Sequence, residues 1–459
     1  MDGGLLVQRQ RAFYQTGATR ALAFRRAQLQ NLASALDRHE ASLLAALQAD
    51  LRKSPFQGYS SELGGLQSEI RRTRKQLGRW AAPTRGRTPW LVAPAHGWEQ
   101  PEPLGLALIL GPWNYPLQLL LAPLVSALAA GNCAILKPSE LAPHSAAAVA
   151  ALVRDSFPDH YVAVVQGGAE AAEALLCEKF DKIFFTGSTR VGRAVMAAAA
   201  KQLTPVTLEL GGKCPVIVCA DAAIELAAKR IAWGKFLNAG QTCVAPDFIL
   251  VQRSVSQALV TALKKVLPEF YGADARQSPD YGRIVNAQHF ARLTSYLRDG
   301  RILHGGEHDA NDLFLAPTLL GEVSPASPVM QEEIFGPILP LVEFDELDEA
   351  LTLLRGRPTP LAIYVFTRDR ATETKILAGT RSGGACINDV VSHILGNDLA
   401  FGGLGDSGLG AYHGRAGFET FSHRRAMVRR ATWLDTPFRY PPQKISLAGL
   451  KRSLRLLLR

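Results

Sequence analysis

The sequence predicts an α/β protein whose middle is a doubly wound parallel sheet. Short apolar runs alternate with Ala-rich stretches of helical length, at the spacing of βαβ units. No charged residue stands between Glu102 and Lys137, but Pro112, Asn114, Pro116, Pro123 and Asn132 interrupt that stretch. Prolines so spaced break a lone membrane helix repeatedly, so the segment reads as a strand, a turn, a buried helix and a second strand. The chain has 459 residues, more than one ordinary core holds, which predicts two or three domains.

Taken in order, apolar and charged positions at helical spacing give helices from Phe24 to Leu51 and again through Trp80. Residues 81–89 are loop-like, and Trp90 to Pro101 reads as part of a strand ribbon. The uncharged stretch gives a strand at Leu106–Leu110, a helix from Leu117 to Ala130 and a strand at Ala134–Leu136. Further strands are Val162–Val165, Ile183–Phe185, Val206–Leu210 and Val216–Cys219; helices are Ser145–Ser156, Ala169–Cys177 and Arg190–Lys201. A second α/β unit ends in Ile363–Phe366 and Gly384–Asn388.

The tail Lys444–Arg459 places Leu447, Leu450, Leu454 and Leu457 or Leu458 on one stripe, with Lys451, Arg452, Arg455 and Arg459 beside it. A basic amphipathic helix suits an anionic membrane surface. A helix packing its leucines across a dimer or over a substrate entrance is the equal alternative, and the segment is too short to span a bilayer.

Apolar residues at 47% and charged residues at 20% describe a soluble globular protein. The cysteines Cys133, Cys177, Cys214, Cys219, Cys243 and Cys386 show neither CxxC spacing nor a paired framework, which argues for reduced thiols in a cytoplasmic compartment and against disulfides or a metal site. No signal peptide is read at the start of the chain. A net charge of +10 admits nucleic-acid binding, but the arginines are spread out and no nucleic-acid-reading motif appears. A solvated basic surface explains the charge better.

The chemistry concentrates at Cys243, in Phe236-Leu-Asn-Ala-Gly-Gln-Thr-Cys-Val-Ala-Pro246, and at Glu209, in Leu208-Glu-Leu-Gly-Gly-Lys213. A thiol among small and polar residues suits a nucleophile, and a carboxylate on another turn suits the base that hydrolyses a thioester. Doubly wound sheets bind ligands beyond the carboxyl ends of their strands, and three loops there matter. Gly111-Pro-Trp-Asn-Tyr-Pro116 offers Asn114 as a neutral oxyanion donor, or merely a turn residue. Lys137-Pro-Ser-Glu140 sets an ammonium and a carboxylate where a ribose lies, or forms a surface ion pair; Glu140 favours NAD and Lys137 a 2′-phosphate. Phe185-Thr-Gly187-Ser188-Thr-Arg-Val-Gly192 runs from strand to helix through glycines, but Arg193-Ala194 replaces the Lys-Ser/Thr of a hydrolytic phosphate loop. Its helix start suits a pyrophosphate, although glycines at such turns are common for structural reasons.

Together these motifs resemble the aldehyde dehydrogenase superfamily, and within it the class 3 branch that includes fatty aldehyde dehydrogenase. The resemblance extends through Ala130-Gly-Asn132, Arg230-Ile-Ala-Trp-Gly-Lys235, Pro328-Val-Met-Gln-Glu-Glu-Ile-Phe-Gly-Pro337 and Gly410-Ala-Tyr-His-Gly414 and covers nearly the whole chain. It implies Cys243 as nucleophile, Asn114 and the Cys243 N–H as the oxyanion hole, and Glu209 as the base activating water. It implies cofactor contacts from Lys137, Glu140, Gly187, Ser188, Glu333 and Phe335, with NAD and/or NADP as cofactor. Lys213 and Lys235 are expected to be structural. Trp113, Tyr115, Leu119, Trp233 and Tyr412 are expected to line an apolar pocket for medium or long aliphatic and aromatic aldehydes.

Acylating relatives lack a carboxylate in the position of Glu209, so water is the expected acyl acceptor, and the intact Cys243, Glu209 and Asn114 set argues against a catalytically retired protein. Departures from the family pattern are Ala400, where proline is usual, and Asp406, where asparagine is common. The implied organisation is a Rossmann-like cofactor domain (1–81 and 102–209), a catalytic domain (210–391), a small β-strand oligomerisation domain (82–101 and 392–440) that completes a homodimer, and the tail (441–459).

Overall fold

The computed structural model describes residues 3–88, 92–396, 399–435, 440–442 and 445–457. Its contacts divide the chain into a large unit, Met1–Trp80 with Pro103–Ser422, and a small unit, Ala81–Glu102 with His423–Arg459.

Two mainly parallel sheets organise the large unit. The first has six strands in the order Gly408–Leu409, Val206–Glu209, Lys182–Thr186, Leu106–Leu110, Cys133–Lys137, Val162–Val164. All neighbours pair parallel except Gly408–Leu409, which is antiparallel to Val206–Glu209. Every residue of Leu106–Leu110, Cys133–Lys137 and Lys182–Thr186 is buried, as strands covered by helices on both faces require. The chain enters mid-sheet at Leu106–Leu110, moves outward to Val162–Val164, then returns to the other side with Lys182–Thr186. Strand order therefore reverses between Leu106–Leu110 and Lys182–Thr186, the place where such sheets open a crevice.

The second sheet has seven strands in the order Arg301–His304, Thr318–Gly321, Ile338–Phe344, Phe248–Gln252, Pro215–Val218, Ala362–Phe366, Gly384–Ile387. Only the Arg301–His304 edge is antiparallel. The α/β class and the doubly wound parallel sheet are thus as the sequence predicts. Strand Leu106–Leu110 and helix Ala169–Cys177 have the predicted bounds, and the helix from Leu117 is found at Gln118–Ala130. That helix contains Pro123 and is buried from Leu119 to Ala130, so surrounding packing outweighs the missing backbone donor.

Helix Leu22–Leu51 packs on Pro143–Ser156, and Gly64–Trp80 on Gln118–Ala130. A further helix, Gly3–Gln15, precedes the first predicted one. Residues 392–422, which the sequence reading joined to 82–101, cluster with the large unit. The reason is pairing and packing: Gly408–Leu409 extends the first sheet, and helix Gly414–Thr420 packs on Gln118–Ala130.

The small unit is a sheet of strands Thr84–Gly86, Ala95–Pro103 and Ser422–Arg430, with helix Leu447–Leu457 in the tail. Strand Thr84–Gly86, expected as loop, is exposed throughout and exists through antiparallel pairing with Ala95–Pro103. Arg424 pairs with Glu99 at 3.2 Å and Arg425 with Glu102 at 3.3 Å. Of the sequence readings, Trp90 in the ribbon and Lys444, Leu458 and Arg459 in the tail fall outside the described residues. No helix among the described residues is long and apolar enough to cross a membrane.

Candidate active site

The first sheet carries the candidate residues at its carboxyl edge. Asn114 follows Leu106–Leu110, Lys137 ends its strand, Gly187 follows Lys182–Thr186, and Glu209 ends Val206–Glu209. The second sheet supplies the opposite wall, because helix Ile224–Phe236 leads through the short turn Leu237–Gly240 to Cys243.

That turn is strained. Asn238 and Ala239 both have φ of 53° and Gly240 has 75°, three successive residues in the left-handed region. Such backbone costs on the order of 1–3 kcal/mol per non-glycine residue and persists only where surroundings over-determine it. Here the surroundings are identifiable. The Asn238 amide donates to the Asn114 carbonyl at 2.9 Å and the Gln241 carbonyl at 3.2 Å. The Gln241 side chain donates to Asn238 O at 3.0 Å and Arg283 O at 2.9 Å, and accepts from Val285 N–H at 3.0 Å. At Gly240 a Cβ would lie 2.2 Å from the Gly336 carbonyl oxygen, so only glycine fits.

The buried side-chain amide of Asn114 donates to the Gln241 carbonyl at 3.0 Å, two residues before Cys243. One of its two N–H groups is thereby used and the other remains. Burial, reinforced by the negative charges of Glu333 and Glu209, pushes the Cys243 thiol up to about 12. Glu209 is buried, both its carboxyl oxygens find no hydrogen-bond partner among the described residues, and burial raises its pKa well above the usual carboxylate range. A buried carboxyl so shifted is a stronger base than an exposed one.

Glu333 approaches from a different segment. Its carboxyl lies so close to Gly211 that a Cβ there would sit 1.9 Å from Oε2. Burial first, then Asp247, raises Glu333 to about 8, opposed by the Gly212 N–H. The segment is anchored from both sides. Lys213 bonds Asp247, the Val329 carbonyl at 2.7 Å and the Glu332 carbonyl at 2.9 Å; Asp247 accepts from Ile334 N–H at 3.0 Å. Arg292 donates to the carbonyls of Glu333 at 3.3 Å and Ile334 at 2.8 Å. Lys213 therefore holds backbone, in keeping with the structural role expected of it. Lys235 is fully buried, and burial lowers its ammonium to about 8.

At the end of strand Cys133–Lys137, Lys137 Nζ meets Glu140 Oε2 at 2.8 Å, with Lys137 buried and Glu140 exposed. For Glu140 burial opposes ionisation, but the hydrogen bond from Lys137 leads the groups that bring its pKa below the usual range. The Gly187 N–H donates to the Glu209 carbonyl at 3.0 Å, joining the glycine turn to the strand that ends in Glu209. Ser188 caps helix Thr189–Ala200, its hydroxyl accepting from Val191 N–H at 3.4 Å. An ion pair at a strand end, a capped helix start and a carboxyl from the second sheet form a donor set that fits a dinucleotide.

The apolar candidates separate. Trp113 packs edge-on to Phe335 at 5.4 Å and 81°, so a pocket candidate meets a cofactor candidate. Phe335 itself has φ of 50°. The Tyr115 hydroxyl shares a 2.7 Å hydrogen bond with Thr242, beside Cys243. Leu119 is buried on helix Gln118–Ala130, and Tyr412 is buried against Phe184 at 5.0 Å, where burial first, then the charges of Glu209 and Cys243, raises its pKa. Trp233, 41% exposed on helix Ile224–Phe236, makes none of these ring contacts. Sequence reasoning missed Lys53 and Glu62, which meet at 2.6 Å behind Asn114, and Asp247. Asn238 and Gln241 lay within the cysteine motif, where a side-chain amide three residues from a second one was the available signal.

Comparison with known proteins agrees with this geometry. The aldehyde dehydrogenase family model matches residues 7–427. The chain is 45% identical over 436 residues to 4,4′-diaponeurosporen-aldehyde dehydrogenase of Staphylococcus aureus, covering 95% of each protein. It is 46% identical over 438 residues to the dimeric NADP-preferring aldehyde dehydrogenase of Rattus norvegicus, covering 95% of this chain and 97% of the relative. A solved structure described as the substrate-bound state of Staphylococcus aureus AldH superposes with a TM-score of 0.96 at 42% identity, covering 99% of each chain. A family model over residues 7–427 and relatives of this identity over this length make the chain a member of the aldehyde dehydrogenase family.

Proposed function

We propose that the protein oxidises medium- or long-chain aliphatic and aromatic aldehydes to carboxylic acids with NAD and/or NADP, through a covalent intermediate on Cys243. The observation that carries this reading is the 3.0 Å hydrogen bond from the Asn114 amide to the Gln241 carbonyl, which holds a neutral donor against the turn presenting the thiol. The Cys243 thiol passes its proton to water, the resulting thiolate adds to the aldehyde carbon, and the carbonyl π pair moves onto oxygen as an alkoxide. The second Asn114 N–H and the Cys243 backbone N–H stabilise that oxygen, each donor worth about 10²–10³ in rate. The thiohemiacetal carbon would then lose its hydride, for which a bound nicotinamide would supply the acceptor. Lys137, Glu140, the turn at Gly187 and Ser188, Glu333 and Phe335 hold that cofactor.

Hydrolysis then falls to Glu209. Its carboxylate takes a proton from water as the water oxygen adds to the thioester carbonyl; the tetrahedral adduct expels the Cys243 thiolate and the acid departs. The buried carboxyl supports this role, because no side chain or backbone group among the described residues takes its lone pairs. Trp113, Tyr115, Leu119, Trp233 and Tyr412 line the acyl side, where each buried methylene contributes about 0.8 kcal/mol.

The division at residue 209/210 into cofactor and catalytic domains, and a homodimer completed by the small unit, belong to the same proposal; the rat relative is named as dimeric. We further infer that the tail helix rests on an anionic membrane surface. Leu447 and Leu450 are 67% and 42% exposed beside exposed Lys451, Arg452 and Arg455.

Activity across an aldehyde series from acetaldehyde to hexadecanal should show kcat/KM rising with chain length and vanishing in Cys243→Ala; a higher value for acetaldehyde than for dodecanal would refute the apolar pocket. The thiol pKa of about 12 in the resting site also fixes a sign. Below its pKa a thiol is protonated and unreactive, so inactivation of the cofactor-free enzyme by iodoacetamide should accelerate with pH throughout the range from pH 6 to 10. A plateau below pH 8 would contradict it. Deleting residues 444–459 should abolish sedimentation with phosphatidylserine vesicles; retained sedimentation would remove the tail from membrane binding.

A further inference from the structure

A lysine and a glutamate from the N-terminal helices are buried together behind the candidate oxyanion donor. Lys53 follows helix Leu22–Leu51, and Glu62 lies in Tyr59–Leu63, a single π-helical turn. Both side chains are fully buried, and Lys53 Nζ meets Glu62 Oε1 at 2.6 Å. Neither group stops at the other. Lys53 Nζ also donates to the Asn114 carbonyl at 2.8 Å and sits 3.9 Å above the Tyr115 ring. Glu62 Oε2 accepts from Leu117 N–H at 2.8 Å and Gln118 N–H at 3.2 Å, the entry to helix Gln118–Ala130. The pair thus grips the 111–118 loop at its reactive residue and at its exit.

We propose that Lys53 and Glu62 are a positioning pair that fixes the Asn114 amide for the oxyanion. The proposal rests on the reading of Asn114 as an oxyanion donor. Three physical points support it. Burying two charges is costly, and an apolar pair of similar volume would serve stability as well or better, so a function beyond stability is expected. The hydrogen bonds run to backbone atoms of the loop, so what they fix is main-chain position. π-helical turns are rare and concentrate at functional sites, and this one turns Glu62 inward. The Asn114 carbonyl accepts from both Lys53 and Asn238, while its amide donates to Gln241. Removing the Lys53 bond leaves the Asn114 carbonyl held only by Asn238, on the cysteine side, so the loop is fixed at its ends but can tilt at its reactive residue. A misplacement of about 1 Å costs on the order of 10²-fold in rate.

The test is a mutant cycle. Lys53→Met/Glu62→Gln leaves no unpaired buried charge and keeps a side-chain oxygen for the two amides; Glu62→Gln alone is a second, milder variant. Cofactor affinity by fluorescence titration and thermal stability report folding, and single-turnover hydride transfer reports the oxyanion. The expected result is near-native cofactor affinity, a first turnover about 10²-fold slower in the double variant, and an intermediate loss in Glu62→Gln. Asn114→Ala added to the double variant should lower the rate little further than Asn114→Ala alone, because both act on one interaction. If Asn114→Ala is slow but the pair variants are as fast as wild type, or if the two losses multiply, the positioning role is wrong and the oxyanion reading stands. If Asn114→Ala itself turns over at the wild-type rate, both fall.

Discussion

Asn114 spends its side-chain amide on the Gln241 carbonyl and its own carbonyl on Lys53 and Asn238. Through these bonds the carboxyl edge of the six-stranded sheet is tied to the turn that presents Cys243. The left-handed run at Asn238, Ala239 and Gly240 depends on that tie, since Asn238 is one of the donors to Asn114. The cysteine turn and the Gly111–Pro116 loop thereby form one hydrogen-bonded unit. Preorganisation of this kind is what makes a donor effective when charge develops on an oxygen, because no reorganisation remains to be done.

The electrostatics follow from the same enclosure. Full burial of Glu209 and partial burial of Cys243 and Glu333 raise all three pKa values, and the two carboxyls reinforce the shift on the thiol. In the proposed reaction this keeps the sulfur protonated at rest and makes Glu209 a strong base at the later step. Lys213 and Arg292 hold the Glu332–Ile334 backbone and pull the Glu333 pKa down, but burial outweighs them. The cation that enters the oxyanion region, Lys53, is already paired with Glu62 and faces the Asn114 carbonyl.

Much of this was legible in the sequence because it is local. The buried strands of the first sheet are short apolar runs bounded by glycine, proline or charge, as in Leu106–Leu110 between Gly105 and Gly111. Asn114, Lys137, Gly187 and Glu209 each stand at or just beyond the carboxyl end of a strand, so reading the strands located them. What was hidden depends on distant partners. Lys53 and Glu62 look like solvated charges in a helical region, and only the fold buries them. Strand Thr84–Gly86 has no apolar pattern and exists because Ala95–Pro103 lies beside it. The Gly408 to Glu209 pairing joins residues about two hundred apart in sequence, so no local pattern announces it.

The central claim is that the reaction passes through an acyl group on Cys243 that Glu209 releases, and the direct measurement is intact-protein and peptide mass spectrometry of Glu209→Gln after mixing with oxidised cofactor and decanal. The account predicts that the acyl mass accumulates on the Cys243 peptide while the wild-type protein clears it, with one equivalent of reduced nicotinamide formed in the variant. An unmodified Cys243 peptide alongside continued turnover in Glu209→Gln would contradict it.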